Sequence, residues 1–266
     1  MSKPLVSDEL WARIEPLLPA EKPRRFRFPG RKPKDRRKIL TGIVFILKTG
    51  IAWDDLPAEL GWGCGRTCRE TLAAWQRAGV WDRLHKILLD ELGDDGLIDW
   101  SRTLIDSAAS KAPKGGELTG PNPTDRRKKG SKHHVITDAQ GIPLAIELTG
   151  AQRHDSTQML PLVDAIPPIQ GPRGRPRKRP DRMQGDRAYD SKKGREELRK
   201  RGIKPEVAQR GTAHGSGLGK TRWYVERTLA WLHQCGRLRV RWDRRPAIQR
   251  AWMSLACSLI CLRFLL

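Results

Sequence analysis

KHHVITDAQGIPLAIEL, residues 132–148, decides how the second half of the chain folds. Lys132 to Thr137 is a short run rich in strand formers. Asp138-Ala139-Gln140-Gly141 supplies turn chemistry, and Pro143 to Leu148 is a second run. That spacing predicts an antiparallel hairpin. Upstream, Arg102 to Ala108 reads as another strand. Downstream, Asp155-Ser156 is suited to cap a helix carrying Leu160 and Val163. Asp181 to Ala188 gives a fourth strand, Ser191 to Arg201 a helix, and Pro205 to Ala208 a fifth strand. A long helix starts near Thr221, and a last one covers Pro246 to Leu265.

Three strands, a helix, a strand, a helix, a strand and further helices is the order of an RNase H-like core: a mixed α/β arrangement with a five-stranded sheet flanked by helices. We assign residues 99–266 to it, with a basic, Pro-rich linker at 167–182. Residues 1–98 read as a separate helical domain. Ser7 or Asp8 caps a helix with Leu10, Trp11, Ile14 and Leu17 at helical spacing. Ile39, Ile43, Ile46 and Leu47 mark a second helix, closed by Gly50. After a short element and the turn Gly61-Trp62-Gly63, Thr67 is placed to cap a helix with Leu72 and Trp75 inside and Arg66, Arg69 and Arg77 outside. This series fits a helix-turn-helix whose basic helix enters a major groove. It fits a dimerisation or capping module equally well.

The chain has 52 Lys+Arg against 30 Asp+Glu, a net charge of +22 over 266 residues. A field of that sign recruits polyanions and gives salt-sensitive affinity for nucleic acid. Five cysteines form no paired framework, which predicts reduced thiols. Cys64 and Cys68 have a zinc-like spacing but no second Cys or His pair nearby, so they read as small packing residues. No apolar leader follows Met1-Ser2-Lys3-Pro4. The uncharged stretch Ala251 to Leu262 is shorter than the roughly 20 residues of a membrane span and reads as a buried helix.

Three acids stand out against this basic background. Asp106 follows the apolar run Leu104-Ile105, Asp186 sits in Gln184-Gly185-Asp186-Arg187, and Glu226 lies in Lys220–Arg245, a stretch holding only one other acid, Asp243. Two acids at strand ends and one on a helix suit phosphodiester chemistry. Each acid taken singly has an ordinary reading: a turn cap, a loop anchor, an ion pair with Arg222. Asp125, Asp138, Asp155 and Asp190 read as turn or cap residues, and His133, His134 and His154 as polar strand-end or cap residues.

The stretches around these acids carry a resemblance. Thr103-Leu104-Ile105-Asp106-Ser107, Gly120-Pro121-Asn122-Pro123-Thr124-Asp125-Arg126, Gly130-Ser131-Lys132-His133-His134, Gly185-Asp186-Arg187-Ala188-Tyr189-Asp190 and Val225-Glu226-Arg227-Thr228-Leu229-Ala230-Trp231-Leu232 resemble bacterial DDE transposases of the insertion-sequence-five family, within the insertion-sequence-four superfamily. The resemblance runs over nearly the whole chain. It implies Asp106, Asp186 and Glu226 as catalytic and metal-holding acids, transposition chemistry on double-stranded DNA, a homodimer on that DNA, and a cytoplasmic, nucleoid-associated location. In the superfamily's signature helix, Arg222 and Glu226 match; Gly219 and His233 stand where the pattern has Tyr and Lys.

Such chemistry needs an activated water, a stabilised phosphorus centre and a neutralised leaving oxygen. Two Mg²⁺ ions about 3.5–4 Å apart supply all three, with Mn²⁺ a possible substitute, and carboxylate oxygens suit them. Arg222, Glu226 and His233 fall on one helix face. With Arg227, Arg66 and Arg69, the residues Arg222 and His233 are the candidate DNA contacts. Arg173 and Arg175 join them, because Pro172–Pro180 resembles an AT-hook, whose extended Arg-Gly-Arg-Pro core enters a narrow minor groove. The plain alternative is a solvated basic loop. Arg237, Arg239 and Arg241 alternate with Leu238, Val240 and Trp242, so an extended backbone there would line three arginines along one side. A noncatalytic DNA-binding protein and a metal-dependent nuclease without strand transfer remain the competing classes.

Overall fold

The computed structural model describes residues 4–21, 23, 26–28, 32–208 and 219–266. The helical region opens with α1 (Asp8–Ile14), where the Ser7 hydroxyl accepts from the Leu10 amide and so satisfies one orphan N–H of the first turn. Next comes α2 (Arg36–Thr49), which turns Ile39, Leu40, Ile43, Val44, Ile46 and Leu47 into the core. Two short 3-10 turns lead to α3 (Gly65–Arg77) and α4 (Val80–Asp94). Helix α3 starts two residues before Thr67. The backbone of Trp53 packs against its first turn so closely that a Cβ at Gly65 would lie 1.6 Å from the Trp53 carbonyl oxygen. A glycine is required there, and Cys64 becomes the cap position.

The sheet follows as β1 (Thr103–Lys111), β2 (Gly120–Pro121), β3 (Lys129–Asp138) and β4 (Pro143–Gly150), then α5 (Met159–Ala165), β5 (Arg182–Gly185), α6 (Lys192–Lys200) and β6 (Lys204–Val207). Three helices close the chain: α7 (Gly219–Gln234), the four-residue α8 (Gly236–Arg239) and α9 (Pro246–Leu265). Strands β4, β3, β1, β5 and β6 lie side by side in that order, and β2 extends the β4 edge of β3 by two residues. β3 is antiparallel to β1 and β4; β5 is parallel to β1 and β6. This is the five-stranded mixed sheet expected from the sequence, with one short addition. β5 stops at Gly185 rather than Ala188, because the Asp186 carboxylate accepts from the Ala188 amide and winds residues 187–189 into a 3-10 turn.

Helix α9 is the chief packing element. Trp252, Met253, Leu255, Ala256, Cys257, Ile260 and Cys261 are all buried, and the helix packs on α4 and α3 as well as on β4 and α7. It is long and apolar enough to cross a membrane by length and composition, yet 72% of that window is buried inside the protein. One cluster of buried side chains therefore runs from Leu10 and Ile43 through Trp81 and Leu88 to Val135 and Ile260. Cys68, Cys257 and Cys261 are buried as packing residues, and Cys64 is exposed. No group of three His, Cys, Asp or Glu side chains poised for a metal is found among the described residues.

Candidate active site

The β1–β5 ladder pairs Thr103 with Met183 and Leu104 with Gln184, an offset of 80 residues. The same offset carries Asp106 to the level of Asp186. Neighbouring strands lie roughly 4.8 Å apart, so the two acids end up side by side, Asp106 within β1 rather than at a strand end as the sequence suggested, and Asp186 one residue past β5. Glu226 comes from α7, which packs across β1. Three residues far apart in sequence are thus brought together.

What joins them is Arg222, one helical turn before Glu226. Its Nη2 lies 3.5 Å from Asp106 Oδ2, 3.5 Å from Glu226 Oε1 and 3.9 Å from Asp186 Oδ2. The acids grade from sheltered to open: their side chains are 16%, 31% and 55% exposed for Asp106, Asp186 and Glu226. Burial pushes the Asp106 carboxyl up to about 6, against the lowering effects of the Ser107 amide and Arg222. Three carboxylates drawn around one positive group are the donor set a divalent ion prefers, since hard cations take oxygen ligands. The centre they share is filled by the Arg222 guanidinium, so as placed the three side chains supply suitable oxygen donors without forming a metal-ready group.

A second layer of polar groups lies against β1. Asp155, which the sequence marks only as a cap, accepts from the Ser107 hydroxyl at 2.8 Å and from Lys132 Nζ at 2.9 Å, with His134 Nδ1 3.7 Å away. The residue that caps its 3-10 turn is His154, not Asp155. Tyr189 is buried beside this network near Ser107, and desolvation together with Asp155 and Asp106 holds the phenol well above its ordinary pKa. The sequence signal was the nearness of Lys132 and His134 in one strand to His154-Asp155 after the next.

The other sequence candidates fall in three groups. Arg66 and Arg69 are exposed on α3, with Arg66 Nε 2.9 Å from Glu70. Arg173 and Arg175 are exposed on a bent loop closed by an Ile169–Arg177 bridge, with Gly174 at a φ of 88°, so the segment is not extended here. Two candidates are turned inward. Arg227 lies over the rings of Trp223, Tyr224, Trp231 and Phe264 and donates to the Gln140 carbonyl at 2.5 Å, which commits its charge to holding α7 against the 138–141 turn. His233 sits 3.4 Å from His133, and burial lowers its pKa, so it is a neutral packing partner rather than a cation on the Arg222 face. The expected row of three arginines does not form either. α8 is helical, Arg237 and Arg241 are buried, and only Arg239 is exposed.

An aspartate on β1, a second just past the end of the adjoining parallel β5 and a glutamate on the crossing helix, carried by this sheet order, are the arrangement of an RNase H-like DDE protein. Comparison with known proteins refines the class. Residues 6–85 match the profile of a family described as a transposase of the IS4/5 family, and residues 99–261 match the transposase DDE domain. A transposase assigned to insertion sequence element IS402 of Burkholderia cepacia is 58% identical over 160 residues, covering 60% of this chain and 74% of that protein. A 16.2 kDa uncharacterized protein of the same element is 54% identical over 123 residues, covering 46% of this chain and 84% of its own length. A pre-cleavage Mos1 transpososome structure aligns over 88% of this chain and 80% of that one at 12% identity and a TM-score of 0.28. The chain belongs to the IS4/5 family of DDE transposases.

Proposed function

We propose that this insertion-sequence transposase cuts DNA at the ends of its element and joins the freed ends to target DNA. The observation that carries the reading is the convergence of Asp106, Asp186 and Glu226 on a single cationic centre. Mg²⁺, with Mn²⁺ as a substitute, is the cofactor the three carboxylates suit; when bound it supplies Lewis-acid activation of the attacking and leaving oxygens. The chain's own part is placement. Asp106 is held by the rigid β1–β3 ladder, Asp186 by its hydrogen bond to the Ala188 amide, and Glu226 by α7. Water is the nucleophile in cutting, and a DNA 3′-hydroxyl in joining. The region up to residue 98, with Arg66 and Arg69 on α3, contacts the element ends, and residues 99–266 carry the chemistry. Two copies acting on a pair of ends, in the cytoplasm, complete the reading.

Replacing Glu226→Gln keeps size and hydrogen bonding but removes a charge. Cutting of end DNA should fall by orders of magnitude while DNA affinity stays near normal. Asp106→Asn and Asp186→Asn should behave alike, and their combinations should be strongly non-additive because the three act as one unit. A folded Glu226→Gln chain that cuts at the wild-type rate would remove that residue from the triad. Cutting without joining would reduce the reading to a nuclease.

A further inference from the structure

A groove of about 850 Å³ lies away from the triad, between α3 and the segment that leads into α9. Arg69 and Arg77 of α3 line one wall; Lys114, Trp242, Arg244 and Arg245 line the other. We propose that this groove binds a short unpaired stretch of a DNA strand, with its phosphates on the arginines and a base stacked on Trp242. The proposal rests on the DNA-cutting reading above and assigns that reading a second site.

The charge balance points to an anion. Among the described residues, no ion pair engages Arg69, Arg77, Lys114, Arg244 or Arg245, although acids lie nearby. Glu70 is taken by Arg66, Asp243 accepts from the Trp252 indole at 3.0 Å with Arg237 4.0 Å away, and Asp54 is the one further acid on the lining, set against these five cations. The start of α9 adds to the demand. Its N-cap is Arg245, no side chain caps it, and its first turn holds no acid. Pro246 brings no N–H and the Ile248 and Gln249 amides donate to the Arg245 carbonyl, so what the helix start offers an anion is the uncompensated positive end of its dipole with a cation already placed on it.

The wall is built rather than loose. Arg241 is buried, and its guanidinium donates to the carbonyls of Leu118, Glu117, Asp243 and Arg244 and to the Ser131 hydroxyl. Gly116, at a φ of 120°, lets the Arg244 backbone approach until a Cβ would lie 2.3 Å from its carbonyl oxygen. So the 242–245 segment is pinned while Trp242 stays 40% exposed, with Lys114 Nζ 6.0 Å from its ring. An exposed indole among unpaired cations is what a single strand recognises, since every base has a face that stacks while its backbone needs positive charge. A closed duplex offers the phosphates but not the base face.

The test uses the full chain without divalent metal, so that no cutting intervenes. Fluorescence anisotropy at fixed salt compares a forked DNA bearing a short unpaired arm with a blunt duplex of the same sequence. The wild type should prefer the fork. Trp242→Ala should weaken fork binding by about 5- to 150-fold and change blunt binding by no more than about twofold. Trp242→Phe should retain most of the preference, and matching melting temperatures show that the variants fold. Arg244→Ala with Arg245→Ala should weaken fork binding and flatten its salt dependence by about two counterions. Equal wild-type affinity for both DNAs, or fork binding indifferent to Trp242→Ala, overturns the groove proposal alone. A wild type that binds neither DNA overturns the DNA reading as well.

Discussion

Removing the positive charge at the centre of the triad should make the protein bind metal more tightly. Under the proposed function Arg222 stands where an ion would bind, with contacts of 3.5, 3.5 and 3.9 Å to the three carboxylates. Coulomb's law in a water-like dielectric assigns each such contact about 1 kcal/mol. The guanidinium is 28% exposed and Glu226 is more than half exposed, so screening and side-chain entropy reduce the total to about 1–2 kcal/mol. An ion entering the wild type has to displace that attraction; in Arg222→Gln it does not. Affinity for Mn²⁺ should therefore rise by about 5- to 30-fold. Titration of the DNA-free full chain, followed by calorimetry or by the loss of free Mn²⁺ signal, measures it directly. Arg222→Lys keeps the charge and should remain within a few-fold of wild type. Equal Mn²⁺ affinity in wild type and a fully folded Arg222→Gln would show that the guanidinium does not compete for the centre.

Two further outcomes test the framework around the site. Arg241→Met would leave the buried oxygens that Arg241 now satisfies without a donor, so unfolding in urea should show a loss of about 3–5 kcal/mol; a loss below about 1 kcal/mol would refute the clamp. Burial lowers the His134 pKa from 6.5 to about 4, so the unfolded chain takes up this proton first. The resulting stability is fully present above pH 6.5 and is lost as pH falls toward 4, roughly 3 kcal/mol in all. Asp106 and Asp138, both raised to about 6, act in the opposite direction over nearly the same range. The informative quantity is therefore the difference between wild type and His134→Gln. The variant should lose less stability on acidification, and identical pH profiles would place His134 outside this balance.

Most of the fold is legible because its signals are local. The hairpin at 132–148 announces itself through turn residues between two runs of strand formers, and α9 through a long uncharged stretch. The triad was legible as three motifs. Their convergence was implied by the resemblance, but the register behind it was not legible, since nothing in the sequence shows that β1 and β5 pair at an offset that aligns Asp106 with Asp186. The start of α3 was misplaced at Thr67 because what governs it is the approach of the Trp53 carbonyl to Gly65, a contact between separate elements. The same holds for Arg227, Arg237 and Arg241. Arginine in a sequence reads as surface charge, and only aromatic rings or carbonyls brought in from elsewhere turn it into an internal fastener.

The seat of α9 on α4 has a consequence for biosynthesis. As the chain leaves the ribosome, α4 emerges with the helical region, but the surface that covers it is encoded far downstream and arrives only with Pro246–Leu265. Until then the buried faces of Trp81, Leu84 and Leu88 lack a principal neighbour. A product cut short by a nonsense codon or a frameshift before Pro246 would carry that sticky face permanently, and chaperones and proteases would meet it before DNA did. Covering α4 thus depends on translation through Pro246–Leu265, so any chain that stops earlier lacks the settled surface of the complete fold.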